Sequence, residues 1–185
     1  MDETNTELFR LMDKVRALER ENEILKKELA FLRTFPALAQ GIKGETLVAQ
    51  LTGGVLTGYA ESHDVSVTNG DRLEVKYSHL NDPNRSKTRR WNWNSPLGRR
   101  DEKDYSFLIL VGEKDPRFED QYPPDLAFVF FLVPRADVWY IKTGSNIALN
   151  TNLRTANAAK SEALKQYLVR SGATFKNLFS SAATP

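Results

Sequence analysis

Residues 63–76 read HDVSVTNGDRLEVK, and this stretch decides the fold. Apolar and polar side chains alternate over residues 63–67 and again over residues 72–76, which is the period of a half-buried β-strand. The Asn69-Gly70 pair between the two runs is a strong β-hairpin signal. The sequence therefore predicts two antiparallel strands joined by a tight turn.

The length of the turn sets which side chains meet across this hairpin. A two-residue turn would pair Val65 with Glu74 and mix the apolar face with charge. A three-residue turn with Gly70 in the left-handed conformation pairs Val65 with Leu73 and Asp64 with Glu74, so that the apolar face is continuous. We therefore expect the three-residue turn, although the two-residue turn is the commoner one for Asn-Gly.

That register gathers Asp64, Glu74 and Lys76 on the polar face of the hairpin. Two carboxylates held close together repel each other unless a cation neutralises them, and oxygen ligands suit Mg²⁺. Bound Mg²⁺ lowers the pKa of its water and stabilises charge on a phosphate under attack. A lysine beside the metal stabilises the developing charge. The alternative is an exposed hairpin face, on which charged residues are ordinary.

Helix Glu45, strand Asp64 and hairpin Glu74-Val75-Lys76 form an ordered set that resembles the PD-(D/E)XK nuclease superfamily, which includes many restriction endonucleases and junction resolvases. The resemblance implies an α/β fold with a restriction-endonuclease-like mixed β-sheet flanked by helices. It also implies that Asp64, Glu74 and the carbonyl of Val75 bind metal and that Lys76 serves the attacking water. Glu45 would reach the metal through water, and Mn²⁺ is expected to substitute for Mg²⁺.

Positive charge is concentrated in residues 72–103, where nine Lys and Arg outnumber four Asp and Glu. The net charge of this stretch is +5, against +2 for the whole chain. Cations, aromatic rings and amides are groups that contact DNA phosphates and bases. The candidate DNA-binding residues are Arg85, Lys87, Arg89, Arg90, Trp91, Asn92, Trp93, Arg99 and Arg100. The alternatives are a solvated loop, or an edge strand whose two tryptophans pack inward.

The N-terminal region has the heptad spacing of a coiled coil. Its seam consists of Leu8, Leu11, Val15, Leu18, Asn22, Leu25, Leu29 and Leu32. Asn22 falls at an a position, where a buried asparagine favours a parallel dimer in which it meets its own copy. The facing g and e positions of such a dimer carry opposite charges in three pairs, which are Lys14 with Glu19, Glu21 with Lys26, and Glu28 with Arg33. The alternative is one amphipathic helix packed on its own domain. Pro36 is expected to close the segment.

The other predicted elements follow from shorter patterns. They are a helix over residues 44–51, strands over 55–59, 107–111 and 126–133, a short strand over 139–141, and a helix over 155–170 that ends at Gly172. No helical period is visible between residues 76 and 104, so the topology there is left open.

Length and composition set the frame for these elements. The 185 residues suffice for a coiled-coil dimerisation helix over 1–36 and a nuclease-like domain over 37–185. The absence of cysteine excludes disulfides, thiolate nucleophiles and cysteine zinc sites. Neither a membrane-length apolar run nor a signal peptide is present, which predicts a cytoplasmic protein without a membrane partner.

Together these patterns predict a Mg²⁺-dependent endonuclease that hydrolyses DNA phosphodiesters as a homodimer. A type II restriction enzyme is the preferred role, and a repair or recombination nuclease is the next. The alternative from another functional class is a noncatalytic DNA-binding or scaffold dimer that has the same coiled coil and basic surface.

Overall fold

The protein is described here by a computed structural model over residues 3–34, 36–58, 60–81, 88–98 and 102–180. The chain divides into two compact units, Met1–Ala39 and Gln40–Pro185. None of the described helices is long and apolar enough to cross a membrane.

The first unit is built on one long helix, α1 (Glu3–Thr34). Its heptad residues remain open to solvent in the single chain: Leu11, Val15, Leu18, Leu25 and Leu29 are each about half exposed. The side chains of Leu8 and Leu32 lie outside the described set. The predicted helix is therefore present, and a stripe of apolar side chains runs along it.

The helix that carries Glu45 is longer than the sequence predicts. It is α2 (Pro36–Thr52), which begins at the proline expected to end helical structure. Proline is well tolerated in the first turn of a helix, where its missing N–H would have no partner. The C-terminal end is as predicted, since the chain leaves the helix at Gly53 with a φ of 69°.

A five-stranded sheet forms the centre of the second unit, in the order β1-β2-β3-β5-β6. Its strands are β1 (Val55–Leu56), β2 (Val65–Ser66), β3 (Arg72–Ser78), β5 (Phe107–Glu113) and β6 (Phe128–Pro134). Only β3 and β5 are parallel, and the other neighbours are antiparallel. The fold is thus mixed α/β with a mostly antiparallel sheet.

The predicted hairpin register is confirmed. Val65 pairs with Leu73, and the N–H of Val67 donates to the carbonyl of Asp71 at 3.1 Å. Residues 68–70 form the three-residue turn, in which Gly70 has a φ of 88° that favours glycine. The polar residues of the two strands therefore share one face.

A second sheet of two strands resolves the topology left open between residues 76 and 104. It consists of β4 (Arg90–Asn94) paired antiparallel with β7 (Asn146–Asn150). The crossover between parallel strands β3 and β5 thus carries a strand, whereas connections between parallel strands usually carry a helix. We call the β4–β7 pair the ribbon.

The hydrophobic core lies on both faces of the large sheet. On one face, alternate residues of β5 and β6, such as Leu108 and Phe131, pack against the inner side of the ribbon. On the other face, Ile109 and Phe130 pack with Val48 of α2 and with Phe175 of a C-terminal helix, α5 (Gly172–Ser180). One side of the sheet is therefore covered by the ribbon together with helical residues such as Val138 and Leu164, and the other side is covered by α2 and α5.

Three sequence predictions outside the hairpin need correction. The strand predicted over 55–59 is described only at Val55–Leu56. The short strand predicted over 139–141 is instead helix α3 (Val138–Ile141), because Val138 and Ile141 are buried at a helical spacing. The helix predicted over 155–170 is shorter, α4 (Ala159–Lys165), and Gly172 begins α5 instead of ending this helix.

The early end of α4 has a tertiary cause. The carbonyl of Tyr167 accepts from the N–H of Leu132, and the N–H of Val169 donates to the carbonyl of Phe130. These backbone groups form hydrogen bonds with the edge of β6 and so cannot form the hydrogen bonds of a helix. Tertiary contacts therefore override the helical pattern of the sequence.

Candidate active site

The polar face of the hairpin places Asp64 against β3. The N–H of Asp64 donates to the carbonyl of Leu73 at 2.9 Å, and its Oδ2 accepts from the N–H of Val75 at 2.8 Å. The N–H and C=O of one strand residue point to the same side, so the carbonyl of Val75 also points towards Asp64. The register therefore brings together Asp64, Glu74 and the Val75 carbonyl.

Glu74 lies at the centre of the site, and its side chain has no exposed surface. The ammonium group of Lys76 donates to Glu74 Oε1 at 2.6 Å. The ammonium group of Lys103 lies 3.1 Å from Glu74 Oε2 and 3.7 Å from Asp64 Oδ1. A buried carboxylate is costly unless it is paired, and here two lysines from different parts of the chain share that role.

Lys103 is a member of this cluster that the sequence did not predict. It lies in the basic stretch, and no motif marks it. It reaches both carboxylates because the chain returns from the ribbon to the start of β5 beside the hairpin, where the N–H of Asp104 donates to the carbonyl of Ser62 at 3.2 Å. This contact joins residues that are far apart in the sequence, so only the folded structure reveals it.

Glu45 faces the same cluster from α2. Burial raises its pKa, and the negative charge of Asp64 raises it further, while the positive charges of Lys76 and Lys103 act in the opposite sense. The four residues predicted to be catalytic, Glu45, Asp64, Glu74 and Lys76, are therefore brought close enough to interact electrostatically.

The electrostatics of Glu74 show that burial dominates the site. Burial raises the pKa of Glu74, and neither lysine fully offsets this effect. For Lys103, burial opposes the charged form, but the charges of Glu74 and Asp64 outweigh it and raise the pKa of the ammonium group. The two lysines therefore offset only part of the cost of burying this carboxylate.

The donor set fits a hard divalent cation. Glu74 Oε2 is buried, and apart from the Lys103 ammonium group 3.1 Å away it has no polar partner among the described residues. Among the described residues, no three acidic or histidine side chains form a ready metal cage. Mg²⁺ is usually held by one or two carboxylates while it keeps several waters, so Asp64, Glu74 and the Val75 carbonyl are a suitable set.

The two histidines near the hairpin stand apart from this cluster. His63 is buried, and its Nε2 lies 2.8 Å from the Ser66 hydroxyl, whereas its Nδ1 has no hydrogen-bond partner. His79 is exposed.

The basic stretch is only partly described. Arg85, Lys87, Arg99 and Arg100 lie outside the described residues. Arg90 is exposed and Arg89 and Asn92 are half-buried on β4 or next to it. Trp91 and Trp93 are 0% and 1% exposed, so their rings are not free to stack on DNA bases. The structure shows the alternative arrangement, a strand with both tryptophans packed inward.

No known protein family matches this sequence, and no curated protein matches it. Among solved structures, the chain is similar to a bacterial homing endonuclease, I-Ssp6803I. The TM-score is 0.38 and the sequence identity is 18%, over 70% of this chain and 86% of the endonuclease chain. We therefore base the function on the side chains of the site.

Proposed function

We propose that this protein is a Mg²⁺-dependent endonuclease that hydrolyses DNA phosphodiesters. The observation that carries the proposal is the convergence of Asp64, Glu74 and Lys76, with a buried Glu74 oxygen that has only the Lys103 ammonium group beside it among the described residues. Carboxylates beside a lysine are a poor surface for an anionic substrate on their own. With a divalent cation they become a site that binds and polarises a phosphate.

Each residue of the cluster has a distinct role in this reaction. Asp64, Glu74 and the Val75 carbonyl would hold the metal, and bound Mg²⁺ would supply charge neutralisation of the phosphate and acidify a water. Lys76, oriented by its hydrogen bond to Glu74, holds the attacking water and stabilises negative charge on the phosphate. The water oxygen bonds to phosphorus and releases a proton to solvent, one P–O ester bond breaks, and the leaving oxygen takes a proton from solvent.

We further propose that α1 forms a parallel two-stranded coiled coil. The support is the half-exposed apolar stripe of the helix together with Asn22 and the three attractive charge pairs of the seam. A two-fold dimer carries two active sites, which suits cutting both strands of a two-fold DNA site. A type II restriction enzyme is the preferred role, followed by a repair or recombination nuclease.

Cleavage of supercoiled plasmid DNA tests the catalytic proposal. The wild type should nick or linearise plasmid with Mg²⁺ or Mn²⁺ and should be inactive in EDTA. Asp64→Asn, Glu74→Ala and Lys76→Ala should each lower the cleavage rate by at least about 100-fold. Glu61→Ala, which removes an exposed carboxylate outside the cluster, should leave the rate unchanged. Equal cleavage by Asp64→Asn and the wild type would reject the site.

A noncatalytic DNA-binding dimer is the second candidate. The Lys103 ion pairs favour it, because an internal ammonium group already contacts both carboxylates and offsets part of their charge. A folded wild-type dimer that binds DNA but cuts none of a varied set of duplexes with either metal would select this candidate.

A further inference from the structure

The outer face of the ribbon has an unusual composition for paired strands. Its inner residues are apolar, and its outer residues are Arg90, Asn92, Asn94, Asn146, Ala148 and Asn150. Asparagine is depleted in β-strands, where its short amide side chain packs poorly. Four asparagines on one face therefore go against local preference, and such conflicts concentrate at functional sites.

From this face we infer that the ribbon reads base edges in the major groove of duplex DNA. The inference rests on the proposed nuclease function and names the surface that would select its substrate. The major groove admits a two-stranded β-ribbon. An asparagine amide can bind the N6 and N7 edge of adenine with two hydrogen bonds, and arginine can bind guanine in the same way.

The chemistry of the face suits this partner. It carries one cation and no acidic residue, so it does not repel a polyanion. The side chains of Asn92 and Asn94 make no hydrogen bond to another described residue, so their amides are available. Arg90, Asn94 and Ala148 are exposed.

The inner face of the ribbon makes it a rigid platform. The indole N–H of Trp91 donates to the carbonyl of Glu113 at 2.8 Å, and that of Trp93 donates to the carbonyl of Val111 at 2.9 Å. Both rings are buried in the core. Base readout needs side chains held on rigid elements, and these two anchors fix the outer residues relative to β5.

The ribbon also lies close to the catalytic cluster. The N–H of Asn92 donates to the hydroxyl of Ser78 at 2.9 Å. Ser78 follows Lys76 and Glu74 on the same face of β3, at about 7 Å and 13 Å along the strand. Successive base pairs rise by about 3.4 Å, so this separation along the strand corresponds to the length of about four base pairs.

Selection from a randomised duplex library tests the inference. Full-length dimer would be incubated with the library in Ca²⁺, and bound sequences recovered by mobility shift. The wild type should enrich a motif that contains adenines. Asn92→Ala and Asn94→Ala should each relax one position of that motif and weaken binding to it by about 5- to 100-fold. Asn177→Ala, on helix α5, is the matched control and should change neither the selected motif nor the affinity for it.

The outcomes separate the ribbon from the catalytic proposal. If the wild type selects and cuts a sequence while both ribbon variants keep its motif and affinity, the ribbon inference is overturned and the nuclease proposal stands. Equal binding to duplex RNA also overturns it, because the deep, narrow major groove of RNA does not admit a ribbon. Absence of DNA binding and cleavage by the wild type overturns both.

Discussion

Replacing Gly112 with alanine tests the packing that holds the ribbon on the sheet. A Cβ at Gly112 would lie 2.6 Å from the Nε1 atom of Trp91 and 2.8 Å from its Cδ1 and Cε2 atoms. The indole has no room to retreat, since the rings of Trp93, Tyr122 and Phe131 lie within about 6 Å of its centre. Relief of the clash therefore requires a displacement of the ring that disturbs its packing against these neighbours and weakens its hydrogen bond to the carbonyl of Glu113.

The expected loss of stability follows from three contributions. Overpacking of a buried site costs about 1–3 kcal/mol. Loss of the 2.8 Å indole hydrogen bond to Glu113 costs a further 0.5–1.5 kcal/mol or so. Alanine restricts the unfolded chain and returns about 0.4–1 kcal/mol. We expect the free energy of unfolding to fall by about 2 kcal/mol, measured by urea denaturation, and the Tm to fall by roughly 4–8 °C.

Gly58→Ala is the matched control, because a Cβ at Gly58 meets nothing within 4 Å. Its free energy of unfolding should stay within about 1 kcal/mol of the wild type. If Gly112→Ala is as stable as Gly58→Ala, Trp91 does not rest on β5, and the rigid support of the ribbon is wrong.

Four further variants probe the catalytic cluster and helix α1. Burial raises the pKa of Glu74 from 4.5, so ionisation of this carboxyl group weakens the fold as the pH rises above that value. Glu74→Gln should therefore be more stable than the wild type at pH 7, as measured by thermal denaturation. If the variant lost this extra stability only at high pH, burial would not be what raises the pKa of Glu74. Lys103→Met removes the ammonium group that competes for both carboxylates and should tighten Mn²⁺ binding to the metal-free protein in calorimetry; unchanged affinity would show that Lys103 does not compete. Leu18→Glu with Leu25→Glu should give a monomer in sedimentation, whereas Asn22→Ile should keep or raise the oligomeric state.

The hairpin and most of its site were predictable because their determinants are local. The alternation of apolar residues and the position of Gly70 fix which residues of β2 and β3 pair, and that pairing places Asp64 beside Glu74. Strand parity then puts Lys76 on the same face. Each step depends on residues within 14 positions of one another, where pattern and turn geometry decide the structure.

Features that depend on distant contacts were not predictable. Lys103 reaches Glu74 through a loop without periodicity. From the sequence alone, the tryptophans of β4 could equally have faced solvent. The pairing of β4 with β7 and the packing of their apolar side chains in the core decide that both rings are buried. Local pattern also overstated α4, because the backbone of Tyr167 pairs with β6 instead.

The pairing of β4 with β7 has a consequence for how the chain is made. Arg90 pairs with Asn150, so β4 emerges from the ribosome well before its partner has been synthesised. During that interval, a strand with two large indoles has open backbone edges, which is a template for aggregation. Closure over so long a segment also slows folding. We expect the nascent chain to need a chaperone until β7 has emerged and paired with β4. Refolding of the denatured protein should likewise need slow dilution.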